Sequence, residues 1–151
     1  MRATATLFFV AAGLALPGPA LADGTNGARL SNFRKVCLVN APQFESAAIE
    51  AAARKEIYRG GDASASASVQ WKPGRSCKMA ARVGSSLAPV VSQAEADPLV
   101  LEAMKRLGGG EITMKKVKKS GLQYRFKTPA GRFEMSFTTD RANQSYHLTK
   151  L

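Results

Sequence analysis

A strict alternation of apolar and polar side chains in the C-terminal third of the chain constrains the fold more than any other feature. In Leu122–Lys127 and again in Arg132–Phe137, apolar and polar residues follow one another at every step. A period of two places one set of side chains on each face of a β-strand. Gly-containing turns, Lys119–Gly121 and Pro129–Gly131, separate the runs and suit hairpin loops. Glu111–Thr138 is therefore predicted to form a three-stranded antiparallel meander that has one apolar face to bury.

The N-terminus has the three parts of a secretory signal peptide. Arg2 precedes an apolar run, Leu7–Leu16, and a small-residue site follows at Ala20–Ala22. The apolar run is shorter than the ~20 residues that a membrane-spanning helix needs. We therefore predict that residues 1–22 are a signal peptide, and that the mature protein is periplasmic or secreted and does not span a membrane.

The remaining length suits one domain with a single hydrophobic core. Residues 23–32 are polar and contain glycine, which predicts a loose lead-in, and residues 33–151 are predicted to form the domain. The segment Val36–Val39 fits either a helix or a short buried strand. The chain has two cysteines, Cys37 and Cys77, and an even number in an oxidising compartment predicts a disulfide bond between them.

A helix and a β-hairpin are expected in the N-terminal half of this domain. The helix is predicted over roughly Gln43–Tyr58, and Ala63–Trp71 is the first strand of the hairpin. The return strand carries Cys77, and matching the apolar faces of the two strands places Trp71 opposite Cys77.

A second helix is predicted from Asp97 to Leu107, after a capping-box sequence at Ser92–Glu95, and its apolar stripe faces the core. Tyr146–Leu151 is expected to add an edge strand after the meander. The predicted fold class is therefore α+β, with an antiparallel sheet of about five strands and helices packed on one of its faces.

The sequence contains no motif typical of an enzyme or a metal site. It has neither a Gly-x-Ser-x-Gly elbow nor a Ser-x-x-Lys pair. His147 is the only histidine, and the two cysteines lack the spacing of metal ligands. Glu134 is expected to form a cross-strand salt bridge with Arg125 or Arg132. No catalytic residue, metal or cofactor is predicted.

Basic residues are concentrated in the meander, and the whole chain has a net charge of +11. Seven of them lie between Ile112 and Phe133 with no acid among them, namely Lys115, Lys116, Lys118, Lys119, Arg125, Lys127 and Arg132. Such a set favours an anionic partner, which outside the cytoplasm is an envelope protein, a glycan or a lipid head group. Export argues against nucleic acid, as does the expected inward facing of the aromatic rings. The alternative is that the cations only keep an exposed sheet soluble.

Residues 97–143 resemble a PepSY-type module, in which a helix precedes an antiparallel meander. The resemblance rests on a helix that ends in a triple glycine, on Leu122–Phe126 and Gly131–Phe137, and on the acidic turn at Asp140. Lys115–Lys119 stand where such modules usually have acidic residues. PepSY-type modules occur in exported proteins and protease propeptides, so the resemblance implies a protease inhibitor or regulator. We expect a non-enzymatic binding domain, with this regulator as the alternative and an envelope hydrolase as a minor alternative.

Overall fold

The computed structural model describes residues 26–58, 67–83 and 88–151, and the predicted signal peptide lies outside them. The described helices are α1 (Gly27–Phe33), α2 (Ser46–Ala53) and α3 (Gln93–Arg106), and the π-helical turns Arg34–Leu38 and Arg54–Tyr58 continue the first two. The described strands are β1 (Ala67–Lys72), β2 (Ser76–Arg82), β3 (Glu111–Lys118), β4 (Gly121–Thr128), β5 (Gly131–Asp140) and β6 (Asn143–Lys150). The predicted α+β class is confirmed.

The six described strands form one antiparallel sheet in the order β1-β2-β6-β5-β4-β3. β3 to β6 form a meander, and β6 also pairs with β2. The prediction of an edge strand over Tyr146–Leu151 is wrong, because β6 lies inside the sheet and joins the N-terminal hairpin to the meander. Its side chains fit that position, since Gln144, Tyr146 and Leu148 are fully buried.

Alternate residues of the strands point into one hydrophobic core, to which all three described α-helices contribute. Phe126 and Phe137 are buried there, which confirms their predicted inward facing. The aromatic rings meet at Phe137, whose ring centroid lies 6.2 Å from that of Phe33 and 6.0 Å from that of Tyr146. The helices therefore cover one face of the sheet, as the alternation predicts.

Two contacts tie the helical segments to the N-terminal hairpin. Cys37 and Cys77 form the predicted disulfide, with their Sγ atoms 2.00 Å apart. Trp71 is the register partner of Cys77, as predicted, and its indole Nε1 donates a hydrogen bond to Ser46 Oγ at 3.0 Å. Ser46 begins α2, which with its π-helical turn ends at Tyr58, the predicted end of the first helix.

The N-terminal segment is helical, which decides between the helix and the strand considered for Val36–Val39. The loose lead-in predicted over residues 23–32 differs from the structure in its described part, since α1 begins at Gly27, whereas residues 23–25 lie outside the described residues. A buried hydrogen bond connects the start of α1 to β6, because Gln144 Nε2 donates to Asn26 Oδ1 at 2.7 Å. The polar composition of this segment was misleading because its partner lies more than a hundred residues away in the chain.

α3 begins at Gln93, earlier than the predicted start at Asp97. Ser92 is its N-cap, and the capping box is complete: Ser92 Oγ accepts from the Glu95 N–H at 3.3 Å, and the Ser92 N–H donates to Glu95 Oε2 at 2.8 Å. These bonds satisfy two of the N–H groups that a helix start leaves open. The capping box therefore sets the start of the helix, and Pro98 is accommodated inside it.

The position of Phe137 at the meeting point of the aromatic rings gives a prediction for stability. Phe137→Ala should lower the free energy of unfolding by about 3–5 kcal/mol, because it leaves a cavity in the core. Gln123→Ala, on the opposite face of the sheet, should change it by less than about 0.5 kcal/mol. Urea denaturation compares the two variants with the unchanged protein. Equal effects would contradict the assignment of the two faces.

Candidate anion-binding surface

The sheet face that points away from the core is polar, and we call it the outer face. Its side chains alternate with the buried ones along each strand, and in β5 they are half-buried or exposed. Strand pairing brings outer-face residues from distant parts of the chain into rows. One row crosses all six described strands and consists of Gln70, Lys78, His147, Ser136, Gln123 and Lys116. The composition of this face therefore depends on the register of the whole sheet.

Five of the seven predicted basic residues lie on the outer face, namely Lys116, Lys118, Arg125, Lys127 and Arg132. Their register partners include Gln123 and Glu134, which alternate with the buried residues of β4 and β5. Lys119 belongs to the turn between β3 and β4. The structure thus brings most of the predicted set together on one surface.

Lys115 is the exception, because it lies on the helix-covered face. Its Nζ is 3.0 Å from Asp97 Oδ1 and 5.4 Å from the centre of the Tyr124 ring. Tyr124 OH donates to the same Asp97 oxygen at 2.6 Å. The hydrogen bond from Tyr124, and then the charge and hydrogen bond of Lys115, lower the pKa of Asp97. Lys115 is therefore engaged in fixing β3 to α3.

A β-bulge in β3 explains why Lys115 leaves the outer face. The register shifts between Ile112 and Met114, so that Ile112 pairs with Phe126 and Met114 with Arg125. Thr113 is the additional residue, and a bulge of this kind turns the following side chains to the opposite faces. Without the shift, Met114 would have pointed inward like Ile112, because only one residue separates them. The lysines that follow Met114 break the alternation and indicate an exposed or bulged strand, but they do not locate the additional residue at Thr113.

The N-terminal hairpin, β1 and β2, adds cations that were not among the seven basic residues predicted from the meander. Because β6 separates β2 from β5, the outer faces of both hairpins are continuous. Lys78 lies opposite His147, and Arg82 lies opposite Asn143. These two cations border a shallow depression of about 330 Å3, to which Asp140 also contributes. The basic surface therefore extends beyond the predicted residues.

Glu134 neutralises one cation of the outer face. It lies opposite Arg125, and Arg125 Nε is 2.7 Å from Glu134 Oε2, which confirms the predicted cross-strand salt bridge. Partial burial opposes ionisation of this carboxyl, but hydrogen bonds from Arg125 and Gln123 outweigh that effect and lower its pKa. The pair is therefore charged on both sides, and Arg125 contributes little net field.

Four other cations of the outer face are not compensated in this way. Within residues 26–58, 67–83 and 88–151, no carboxylate oxygen lies within 4.0 Å of the amino or guanidinium groups of Lys116, Lys118, Lys127 and Arg132. Lys127 and Arg132 are direct partners on neighbouring strands. Like charges placed opposite each other destabilise a sheet, and a bound anion would relieve this repulsion.

His147 lies half-buried near the middle of the outer face. Its Nε2 is 2.8 Å from Thr149 Oγ1. Burial, and then the positive charge of Lys78, lower the pKa of His147, and the charge of Glu134 only partly opposes them. The imidazole is therefore neutral at neutral pH and adds no charge to the surface.

No family model matches the chain, and comparisons with curated proteins and with solved structures gave no significant match. Among the described residues, no helix combines the length and apolar character needed to cross a membrane. The same part of the chain contains no cluster of metal-ligating side chains.

The environment of His147 gives a prediction for pH dependence. Its pKa lies below 6.5 in the folded protein, so the unfolded chain takes up a proton first as the pH falls. The free energy of unfolding should therefore decrease as the pH falls from about 7.5 to about 5.5. His147→Gln should remove part of this decrease in urea denaturation. An NMR titration of this single histidine that gives a pKa above 6.5 would contradict the prediction.

Proposed function

We propose that this chain is an exported, non-enzymatic binding domain whose outer face contacts an anionic component of the cell envelope. The observation that carries the proposal is the set of uncompensated cations on one open face, Lys116, Lys118, Lys127 and Arg132. These four cations do not contribute to the hydrophobic core or to the contacts with the helices, because both lie on the other face of the sheet.

The arrangement of these cations suits a charged surface better than a single small ion. Neighbouring strands are roughly 4.8 Å apart, and charges interact over a Debye length of about 8 Å at physiological salt. Cations on adjacent strands therefore act as one field, and Lys127 and Arg132 are such neighbours. Glu111 lies opposite Lys127 on β3, but no ion pair forms between them within 4.0 Å in the described chain.

Export and oxidation support an envelope partner. The disulfide between Cys37 and Cys77 is compatible with an oxidising compartment, and residues 1–22 have the composition of a signal peptide. Together they favour the periplasm or the extracellular space. This location supports glycans, lipid head groups and acidic proteins as partners.

The main alternative is a protease inhibitor or regulator of the PepSY type. It is supported by the order of elements, in which α3 is followed directly by the meander β3-β4-β5. A hydrolase has less support, because Glu134 and His147, which lie near the middle of the outer face, have structural partners. Glu134 is bound to Arg125, and His147 contacts Thr149.

Export and oxidation are tested by the mass of the protein recovered from the periplasm or the medium. The mature chain should begin at Asp23, and neither cysteine should react with iodoacetamide before reduction, because both side chains are buried and bonded. After unfolding and reduction, both should react. A full-length chain in the cytoplasm, or two thiols that react without reductant, would contradict this part of the proposal.

The outer-face proposal is tested with two anionic probes, dextran sulfate and vesicles that contain anionic lipid. Affinity for at least one probe should fall as salt rises, because exposed charges are screened. Changing Lys116, Lys118, Lys127 and Arg132 to Gln should weaken binding at least tenfold and leave the thermal unfolding midpoint almost unchanged. The two probes distinguish a glycan from a lipid head group.

A matched control changes the same number of exposed cations on the helical side, Lys35, Arg54, Lys55 and Lys105, to Gln. This variant has the same net charge as the outer-face variant but keeps the four outer-face cations. It should therefore retain most of the binding. Equal loss in both variants would show that only the net charge matters. Binding to neither probe by the unchanged protein would remove the proposal.

A further inference from the structure

β3 is an exposed edge strand. It lies at the end of the sheet, and in the described part of the chain only β4 pairs with it. Of its residues, only Met114 is half-buried, and all others are exposed. The main-chain N–H and C=O groups on its open side are therefore available to another strand.

The hairpin geometry identifies which groups face the open side. The turn between β3 and β4 has Lys119 and Ser120 as its loop residues, and Lys118 pairs with Gly121 at its base. In a two-residue hairpin this closing pair is hydrogen-bonded, and hydrogen-bonded and open pairs then alternate. Lys116 therefore bonds to β4, whereas the N–H and C=O groups of Lys115 and Val117 point away from the sheet.

The side chains of this edge differ between its two faces. Lys116 and Lys118 stand on the outer face without a carboxylate within 4.0 Å in the described residues. Val117 lies on the helix-covered face, since it pairs with the buried Leu122, and it is 60% exposed. An added strand would thus meet positive charge on one face and uncovered apolar surface on the other.

Charge decides which kind of strand fits. A second copy of this chain would place lysines against lysines, because Lys115, Lys116 and Lys118 occupy most of the regular part of β3 after the bulge. Like charges placed opposite each other destabilise a strand pair. A strand that carries acids on one face would instead form ion pairs with Lys116 and Lys118.

We propose that the open edge of β3 binds an extended segment of a partner protein in which acidic residues alternate with apolar ones. The segment adds a strand beside Met114–Lys118, with its acids next to Lys116 and Lys118 and an apolar side chain next to Val117. Main-chain hydrogen bonds provide affinity in this mode, and the alternating side chains provide specificity. The site shares Lys116 and Lys118 with the outer-face proposal, but it differs from that proposal because it also depends on main-chain groups at the edge.

The probe is a fluorescent eight-residue peptide in which Glu and Val alternate, and binding is measured by anisotropy. It should bind, and a peptide with Lys in place of Glu should not. A third peptide keeps the Glu–Val sequence but carries N-methyl groups at alternate residues, which remove the donors on one side of its backbone. Methylation on the side that faces β3 should weaken binding at least tenfold, although the charge is unchanged.

The matching change in the protein is Val117→Pro. It removes an N–H that points away from β4, so the sheet should tolerate it, and circular dichroism checks that the fold is retained. This variant should lose peptide binding at least tenfold but retain dextran sulfate binding, whereas Val117→Thr, which keeps the N–H, should retain both. If Val117→Pro lost dextran sulfate binding but retained peptide binding, this result would count only against the outer-face proposal.

Three results would overturn the inference. Peptide binding that is unchanged by both N-methylation and Val117→Pro would show that only attraction between charges holds the peptide. Absence of binding by the Glu–Val peptide would show that the lysines of β3 only prevent strand addition, which is a common role of edge lysines. Equal binding of the Lys–Val peptide would remove the charge argument. If Val117→Pro fails to fold, the N-methylated peptide still decides between these results.

Discussion

The pairing of β6 with both β2 and β5 is the interaction on which the rest of the structure depends. It makes one sheet out of two hairpin units that are separated in the chain by α3. It also places Gln144 where it holds Asn26, and so connects the N-terminal helix to the sheet. Without this ladder, neither the single core nor the continuous outer face would exist.

The two faces of the sheet use charge differently. On the helix-covered face, Lys115, Asp97 and Tyr124 form a compact group in which each polar atom has a partner. On the outer face, Arg125 is compensated by Glu134, but Lys127 and Arg132 are adjacent and uncompensated. Stability explains the first arrangement, whereas no ion pair within the described residues explains the second. This contrast is the physical basis on which we propose a binding role for the outer face.

Local sequence patterns predicted a large part of the fold. Alternation identified β4 and β5 and their buried faces, and face matching placed Trp71 opposite Cys77. The central position of β6 was not predictable in this way, because it depends on pairing with the distant strand β2, in which, for example, Met79 pairs with Tyr146, 67 residues later in the chain. The start of α1, which was predicted to be loose, was missed for the same reason, since the buried amide contact of Asn26 is made with Gln144, which is distant in sequence.

Most of the candidate surface was predictable, because alternation assigns Arg125, Lys127 and Arg132 to one face. The cations of the N-terminal hairpin join it only through the position of β6. The side of β3 on which each lysine lies was not predictable. Lys115 and Lys116 are consecutive polar residues that break the alternation, which indicates an irregular strand, but they do not show that the additional residue is Thr113.

The bulge has a consequence for how this surface can change during evolution. Because Ile112 already pairs with Phe126 and Met114 with Arg125, deletion of the additional residue Thr113 would remove the irregularity and leave every other pair of β3 and β4 in place. Met114 would stay opposite Arg125, and Lys115 would stay opposite Tyr124 and beside Asp97. The bulge is therefore a position at which β3 could lose a residue during evolution without any redistribution of charge between the two faces.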